Sequence, residues 1–245
     1  MILDKNSLHS FVEWRNLVDT EGGVTLIDKE KTWTSFDVVA KLRKIIHIKK
    51  IGHVGTLDPL ATGLLILCLG KSTKQISEYQ GLIKKYSAIL KLGATTISDD
   101  SEYEEENLLP FLNLREEDIS EAIASQIGEI WQKPPIFSAK FHNGRRLYKY
   151  ARENKPVDPE PSLVEISDIK ILSIELPFIN LEVECSKGTY IRYLARDIGT
   201  ELGCGAYLYG LRRTKIGNYS VDDALLLQDI ENISNACTVA SESFI

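Results

Sequence analysis

Residues 52–65, Gly-His-Val-Gly-Thr-Leu-Asp-Pro-Leu-Ala-Thr-Gly-Leu-Leu, constrain the chain more tightly than any other stretch. Gly52, Gly55 and Gly63 allow backbone angles or close approaches that a Cβ would obstruct. Pro59 fixes its own φ and pushes Asp58 out of the helical region, so the Asp58 carboxylate is carried on a stiff turn. Directly downstream, Leu64-Leu65-Ile66-Leu67-Cys68-Leu69 is an uninterrupted apolar run, which predicts a buried strand that anchors the turn. Asp before Pro is also ordinary turn chemistry, so this stretch alone leaves open a structural turn and a catalytic carboxylate.

The chain has 245 residues, room for one large domain or two small ones, and its 43% apolar content supplies a core. No basic segment precedes an apolar stretch at the N-terminus and no apolar run reaches membrane length, which predicts a soluble, cytoplasmic protein. Cys68, Cys185, Cys204 and Cys237 are far apart, and His9, His47, His53 and His142 form no ligand pattern. Reduced thiols and no metal are expected. A net charge of −6 argues at first against a polyanionic partner. Basic residues nevertheless gather at Lys41, Arg43, Lys44, Lys49 and Lys50, at Lys84 and Lys85, at Arg145, Arg146, Lys149 and Arg152, and at Arg212, Arg213 and Lys215. The acid collects over 99–106 and 116–118 as a solvated face. Any one basic cluster reads as a solvated helix face, whereas several flanking one candidate turn point to a polyanion the size of RNA.

In order, the pattern predicts a leader over 1–22 with a short helix near 11–18, then a strand over 24–28. Thr34 or Ser35 is the candidate N-cap of a helix with Phe36, Val39, Leu42 and Ile46 on its apolar face. A short helix over 72–80 and a strand over 85–92, with Tyr86 near its start, come next. The acidic stretch is irregular and runs into a helix over 118–130. Residues 133–140 are extended, Asn143-Gly144 favours a tight turn, 145–152 has basic, aromatic helical spacing, and 153–161 is a proline-rich linker. Strands over 164–176 and 178–185 lead to Gly188, after which Thr189 can cap a helix over 190–202. That places Arg192 in a first turn, where the helix dipole disfavours a cation, so a specific anionic partner is expected. A strand over 207–216, a short helix over 222–230 and a tail end the chain. Without regular βαβ alternation, an α+β fold follows, with a mixed, mostly antiparallel sheet flanked by helices.

Residues 53–65 resemble the catalytic motif of the TruB-type tRNA pseudouridine-55 synthases, in which the aspartate is essential. Four further stretches are similar to that family. Asp28, Lys29, Thr34 and Ser35 match its Asp-Lys-Pro-x-Gly-x-Thr-Ser motif, with Glu30 in place of proline and Thr32 in place of glycine. Pro134-Pro135-Ile136-Phe137-Ser138-Ala139-Lys140 and the following basic segment resemble a thumb-like insertion that closes over the RNA hairpin. Cys185 to Arg192 and Leu211-Arg212-Arg213-Thr214 are also family-like. The resemblance implies the pseudouridine synthase fold over 23–230, a thumb over 133–160 and a tail over 231–245, a short form without the C-terminal RNA-binding domain. It implies Asp58, Tyr86 and Arg192 as catalytic residues, and Lys29, His53, Tyr190 and Leu211 as substrate-binding residues. Lys140, Arg145, Arg146, Arg152, Arg212 and Arg213 would meet the RNA backbone. No metal or cofactor is implied; the partner is the T stem-loop of tRNA, bound by a monomer without an obligatory protein partner.

Such chemistry breaks the N1–C1′ bond of uridine, rotates the uracil and joins C5 to C1′, which requires an ionised carboxylate at the sugar. A guanidinium beside it, Arg192 by the resemblance, would keep Asp58 charged. Tyr86 would stack on the uracil and is the candidate base, while His53 would fill the space the flipped base leaves. Two other readings compete: an RNA-binding or tRNA-folding module with the Asp58 site secondary, and a guide-RNA-dependent relative of the same fold. The joint presence of Asp58, Tyr86, Tyr190 and Arg192 favours the enzyme.

Overall fold

The apolar run after the Asp58 turn is a buried strand in the computed structural model, which describes residues 1–138, 140–142, 144–153 and 155–242, without the side chains of 142, 148, 151, 152 and 238–242. Two units make up the chain: Met1–Leu82 with Arg212–Ile245, and Ile83–Leu211.

The first unit opens with β1 (Ile2–Leu3), α1 (Phe11–Thr20), β2 (Gly23–Lys29), α2 (Ser35–Ile46), β3 (Ile51–Val54), β4 (Thr62–Leu69) and α3 (Ile76–Gly81). Both β2 and β3 pair antiparallel with β4, and β1 adds parallel to β2. The run is apolar throughout because both faces of β4 are covered. Leu65, Leu67 and Leu69 enter a cluster with Trp14, Leu42 and Ile46, while Leu64, Ile66 and Cys68 enter another with Val24, Leu26 and Val54. Residues 1–22, read from sequence as a leader, contribute to the first cluster through Phe11, Trp14 and Val18, and the Trp14 indole N–H donates to the Val24 carbonyl at 3.2 Å. Thr34 caps α2 in a reciprocal box: its Oγ1 accepts from the Asp37 N–H at 3.0 Å and the Asp37 carboxylate accepts from the Thr34 N–H at 2.9 Å. The apolar face of α2 is rotated from the expected one: Val38 is buried with Val39, Leu42 and Ile46, while Phe36 is 66% exposed.

The second unit continues with β5 (Lys84–Leu92), α4 (Glu116–Ala124), β6 (Gly128–Gln132), β7 (Phe141–His142), β8 (Arg145–Arg146), α5 (Leu147–Arg152), β9 (Ser162–Glu175), β10 (Phe178–Cys185) and α6 (Ile191–Glu201), and takes the start of β11 (Ala206–Ile216). Strands β5, β10, β9 and β6 pair antiparallel in that order. Alternate residues, Tyr86, Ala88 and Leu90 on β5 with Ile179, Leu181 and Val183 on β10, are buried, and α6 packs on β5. The helix expected over 118–130 stops at Ala124; Gly128, at φ +114°, turns the chain into β6, where exposed Trp131 alternates with buried Gln132. Arg145 and Arg146 pair as a strand with β7 rather than opening the helix, and Asn143 of the expected turn lies outside the described residues. Thr189 does not cap α6: its hydroxyl donates to the Ser186 carbonyl at 3.0 Å and Tyr190 occupies the cap position.

The chain then returns to the first unit as the rest of β11, β12 (Tyr219–Ser220) and α7 (Leu227–Glu242). The last helix starts later and runs further than the expected 222–230, and packs on α2. Mixed, mostly antiparallel sheets flanked by helices are thus the observed architecture, as the sequence indicates. Among the described residues no helix is long and apolar enough to cross a membrane.

Candidate active site

Asp58 stands half-buried between β3 and β4, and its neighbours hold the turn on both sides. The Leu57 N–H donates to Ser35 Oγ at 2.9 Å, and the Ser35 hydroxyl donates to the Leu57 carbonyl at 3.3 Å. The Asp58 carbonyl accepts from the Ala61 N–H at 3.1 Å, and the Pro59 carbonyl accepts from the Thr32 N–H at 2.8 Å. Leu57 and Ala61 point their side chains into the protein, 3% exposed each. Backbone and hydroxyl groups thus fasten the turn to the strands and helix around it.

Lys29, at the end of β2, has no exposed surface. Its ammonium donates to the carbonyls of Trp33 at 2.6 Å, Glu30 at 3.0 Å and Pro59 at 3.3 Å. Burial lowers its pKa to about 8, a shift that the Asp58 charge opposes and the Arg213 charge reinforces. Thr32, where the family motif has glycine, sits at φ +74°, a strained conformation for a β-branched residue that its hydrogen bond to Pro59 helps to hold. Arg212 and Arg213 lie on β11, parallel to β4 and opposite Thr62 and Gly63. Arg212 forms a forked pair with Asp28, at 3.0 and 2.6 Å, with its side chain 41% exposed. Arg213, expected at the RNA backbone, is instead 1% exposed and donates to the carbonyls of Leu64, Gly55 and Val54. His53 is half-buried on β3, opposite Leu67.

In the second unit Tyr86 lies opposite Val183 and is packed into the interior, 9% exposed. Arg192 is also buried, in the first turn of α6. It donates to the carbonyls of Ser98 at 3.1 Å and Phe137 at 3.0 Å, and Asp100 stands 3.5 Å from it, an anionic partner of the kind its helix position requires. The Tyr190 N–H donates to the Gln132 side chain at 2.9 Å, and Leu211 is half-buried on β11. Beside Arg192, burial raises the Asp99 carboxyl to about 6 against the charges of Arg196 and Arg192. Of the expected backbone contacts, Lys140 donates to Ser162 Oγ at 2.6 Å, Arg145 pairs with Glu153, and the Arg146 guanidinium stacks over the Phe141 ring at 4.7 Å. The Arg152 side chain lies outside the described residues. The expected residues thus divide: Lys29, His53, Asp58, Arg212 and Arg213 belong to the first unit, and the others to the second.

The family model of the TruB pseudouridylate synthase N-terminal domain matches residues 43–191, and that of the tRNA pseudouridylate synthase B C-terminal domain matches 192–243. The chain belongs to the TruB family. TruB proteins are pseudouridylate synthases, so its class is that of an isomerase. It is 44% identical over 233 residues to the tRNA pseudouridine synthase B of Chlorobaculum tepidum, covering 93% of this chain and 97% of that protein. The Flavobacterium johnsoniae protein of the same name is 48% identical over 212 residues, 84% of this chain and 93% of its own. Among solved structures, a Cbf5–Nop10–Gar1 complex gives a TM-score of 0.71 at 28% identity over 94% of this chain, and the archaeal box H/ACA sRNP Nop10–Cbf5 complex gives 0.65 at 26% over 90%. The TruB chain spans 59% and 56% of those two structures' chains. Two features of this TruB site escaped the sequence reading. Ser35 was read as a candidate helix cap and a motif match, not as the hydroxyl that holds Leu57, and nothing in a run of basic residues marked Arg213 as the buried one.

Proposed function

We propose that the chain converts uridine to pseudouridine in the T loop of tRNA, at position 55, by flipping the target base out of its stack. The observation that carries this reading is the Asp58 turn, fastened to α2 through Ser35 and to Lys29 through the Pro59 carbonyl, in a chain of the TruB family. Relatives named tRNA pseudouridine synthase B support tRNA as the substrate. The ionised Asp58 acts at the sugar or on the ring as the N1–C1′ bond breaks; the uracil turns, C5 joins C1′, C5 gives up its proton and N1 gains one. Tyr86 lies against the uracil and serves the proton transfer, while Arg192, oriented by the Ser98 and Phe137 carbonyls, favours the charged form of Asp58. Tyr190 and Leu211 wall the pocket, and His53 enters the space the base vacates. Lys140, Arg145, Arg146, Arg152 and Arg212 meet phosphates, and no protein partner is obligatory. The test is incubation with an unmodified tRNA transcript, followed by mapping of pseudouridine by chemical derivatisation. Pseudouridine at position 55 alone is expected; modification elsewhere, or tRNA binding without modification, would overturn the reading.

A further inference from the structure

Arg213 owes its interior position to a missing side chain on the neighbouring strand. Gly63 adopts φ +101°, and a Cβ there would stand 2.3 Å from the Arg213 carbonyl oxygen, so only glycine lets β11 approach β4 this closely. The Arg213 guanidinium then reaches both ends of the loop that carries Asp58. Its Nε–H donates to the carbonyl of Leu64, just after the loop, at 2.8 Å. Its Nη2 donates to Gly55 at 3.1 Å and Val54 at 3.5 Å, just before it. The planar guanidinium holds its donors in a fixed fork that matches carbonyls on both sides of the loop, a geometry that a compact ammonium does not reproduce. A cation is costly to bury, and one whose task was to meet phosphate would have no reason to be 1% exposed.

We infer that Arg213 is a positioning residue for the pseudouridine-forming reaction: by tying Val54 and Gly55 to Leu64 it fixes the mouth of the 56–61 loop, and so the place of the Asp58 carboxylate, without touching RNA. The inference rests on the proposed role of Asp58. Arg213→Lys and Arg213→Gln, checked for folding by thermal melting, separate the possibilities. The single-turnover rate constant at saturating tRNA should fall on the order of 100-fold in both, because a carboxylate misplaced by about 1 Å loses that much. The tRNA Kd should stay within about threefold of wild type and its salt slope should not change, because no phosphate contact is lost. A folded variant with a near-normal rate constant, or one whose loss lies in Kd with a shallower salt slope, overturns the inference. Wild type that forms no pseudouridine on tRNA is a different result, which sinks the functional reading and this inference with it. If neither variant folds, the wild-type Arg213 Nε–H resonance decides: it should exchange slowly and keep its shift when a T-arm hairpin binds, and a shift or faster exchange on binding would overturn the assignment.

Discussion

Ser35, Thr32 and Ala61 hold the turn around Asp58 through backbone and hydroxyl groups, none of which the near-isosteric asparagine would alter. Asp58→Asn should therefore abolish pseudouridine formation while tRNA binding by filter assay stays within roughly tenfold of wild type. Lost binding, or turnover near wild type, would remove Asp58 from the chemistry. Lys29 gives the site a pH signature with opposite signs for stability and activity. Between about 8 and the usual 10.5 the unfolded chain keeps a proton that the folded chain has shed, so this residue makes the fold more stable as pH rises through that window. The neutral amine donates more weakly to the Pro59 carbonyl, so the single-turnover rate should decline on an alkaline limb near pH 8. Lys29→Met should be slow throughout, lack the limb, and show no rise of Tm across the window. The sequence revealed Lys29 through its motif but not its burial, because an ammonium among Glu30 and Lys31 reads as solvated; three carbonyls converging on it are a product of the tertiary fold.

At the scale of elements, the legible parts were those whose pattern serves one purpose. β4 could be read because both of its faces are covered, so six apolar residues in a row have no helical alternative between their turns. The cap of α2 was legible in outline, since Thr34 takes the N-cap and Ser35 does not. Ser35 is instead the first residue of the helix, 1% exposed, and turns its hydroxyl to Leu57. Ser35→Ala would leave the Leu57 N–H buried without its acceptor, a loss of about 1–3 kcal/mol. Thermal melting should register that loss, and an unchanged Tm would mean that another acceptor replaces the hydroxyl. β6 was not legible: Gln-Ile-Gly-Glu-Ile-Trp-Gln extends the helical spacing of α4 in sequence, and what makes it a strand is its register against β9, opposite Leu163 and Val164. The buried charges Arg192 and Arg213 divide in the same way. A cation at the start of a helix announces a partner, met here by Asp100, whereas a cation in a basic run announces nothing.

For the whole molecule, the net charge of −6 misleads if taken as a sum, because fields beyond about 8 Å are screened at physiological salt and only local clusters act on a docked phosphate. Of the residues proposed to meet RNA, Arg145 and Arg212 are partly engaged with Glu153 and Asp28, and such half-exposed pairs are worth at most about 1 kcal/mol, little enough to exchange for phosphate. Lys140, Arg145, Arg146, Arg152 and Arg212 together imply a slope of log K against log salt of about −3.5 to −4.5. The acidic block over 99–106 and the acidic residues of α7, Asp229, Glu231 and Glu242, offer nothing to phosphate, so the contacts should be confined to one arm of the tRNA. An isolated T-arm hairpin is accordingly expected to give kcat/KM within about tenfold of full tRNA, or about 1.4 kcal/mol, with the same salt slope, because the same phosphates are neutralised in both. A hairpin hundreds of times poorer, or one with a clearly shallower salt dependence, would mean that basic residues outside these five reach a second arm.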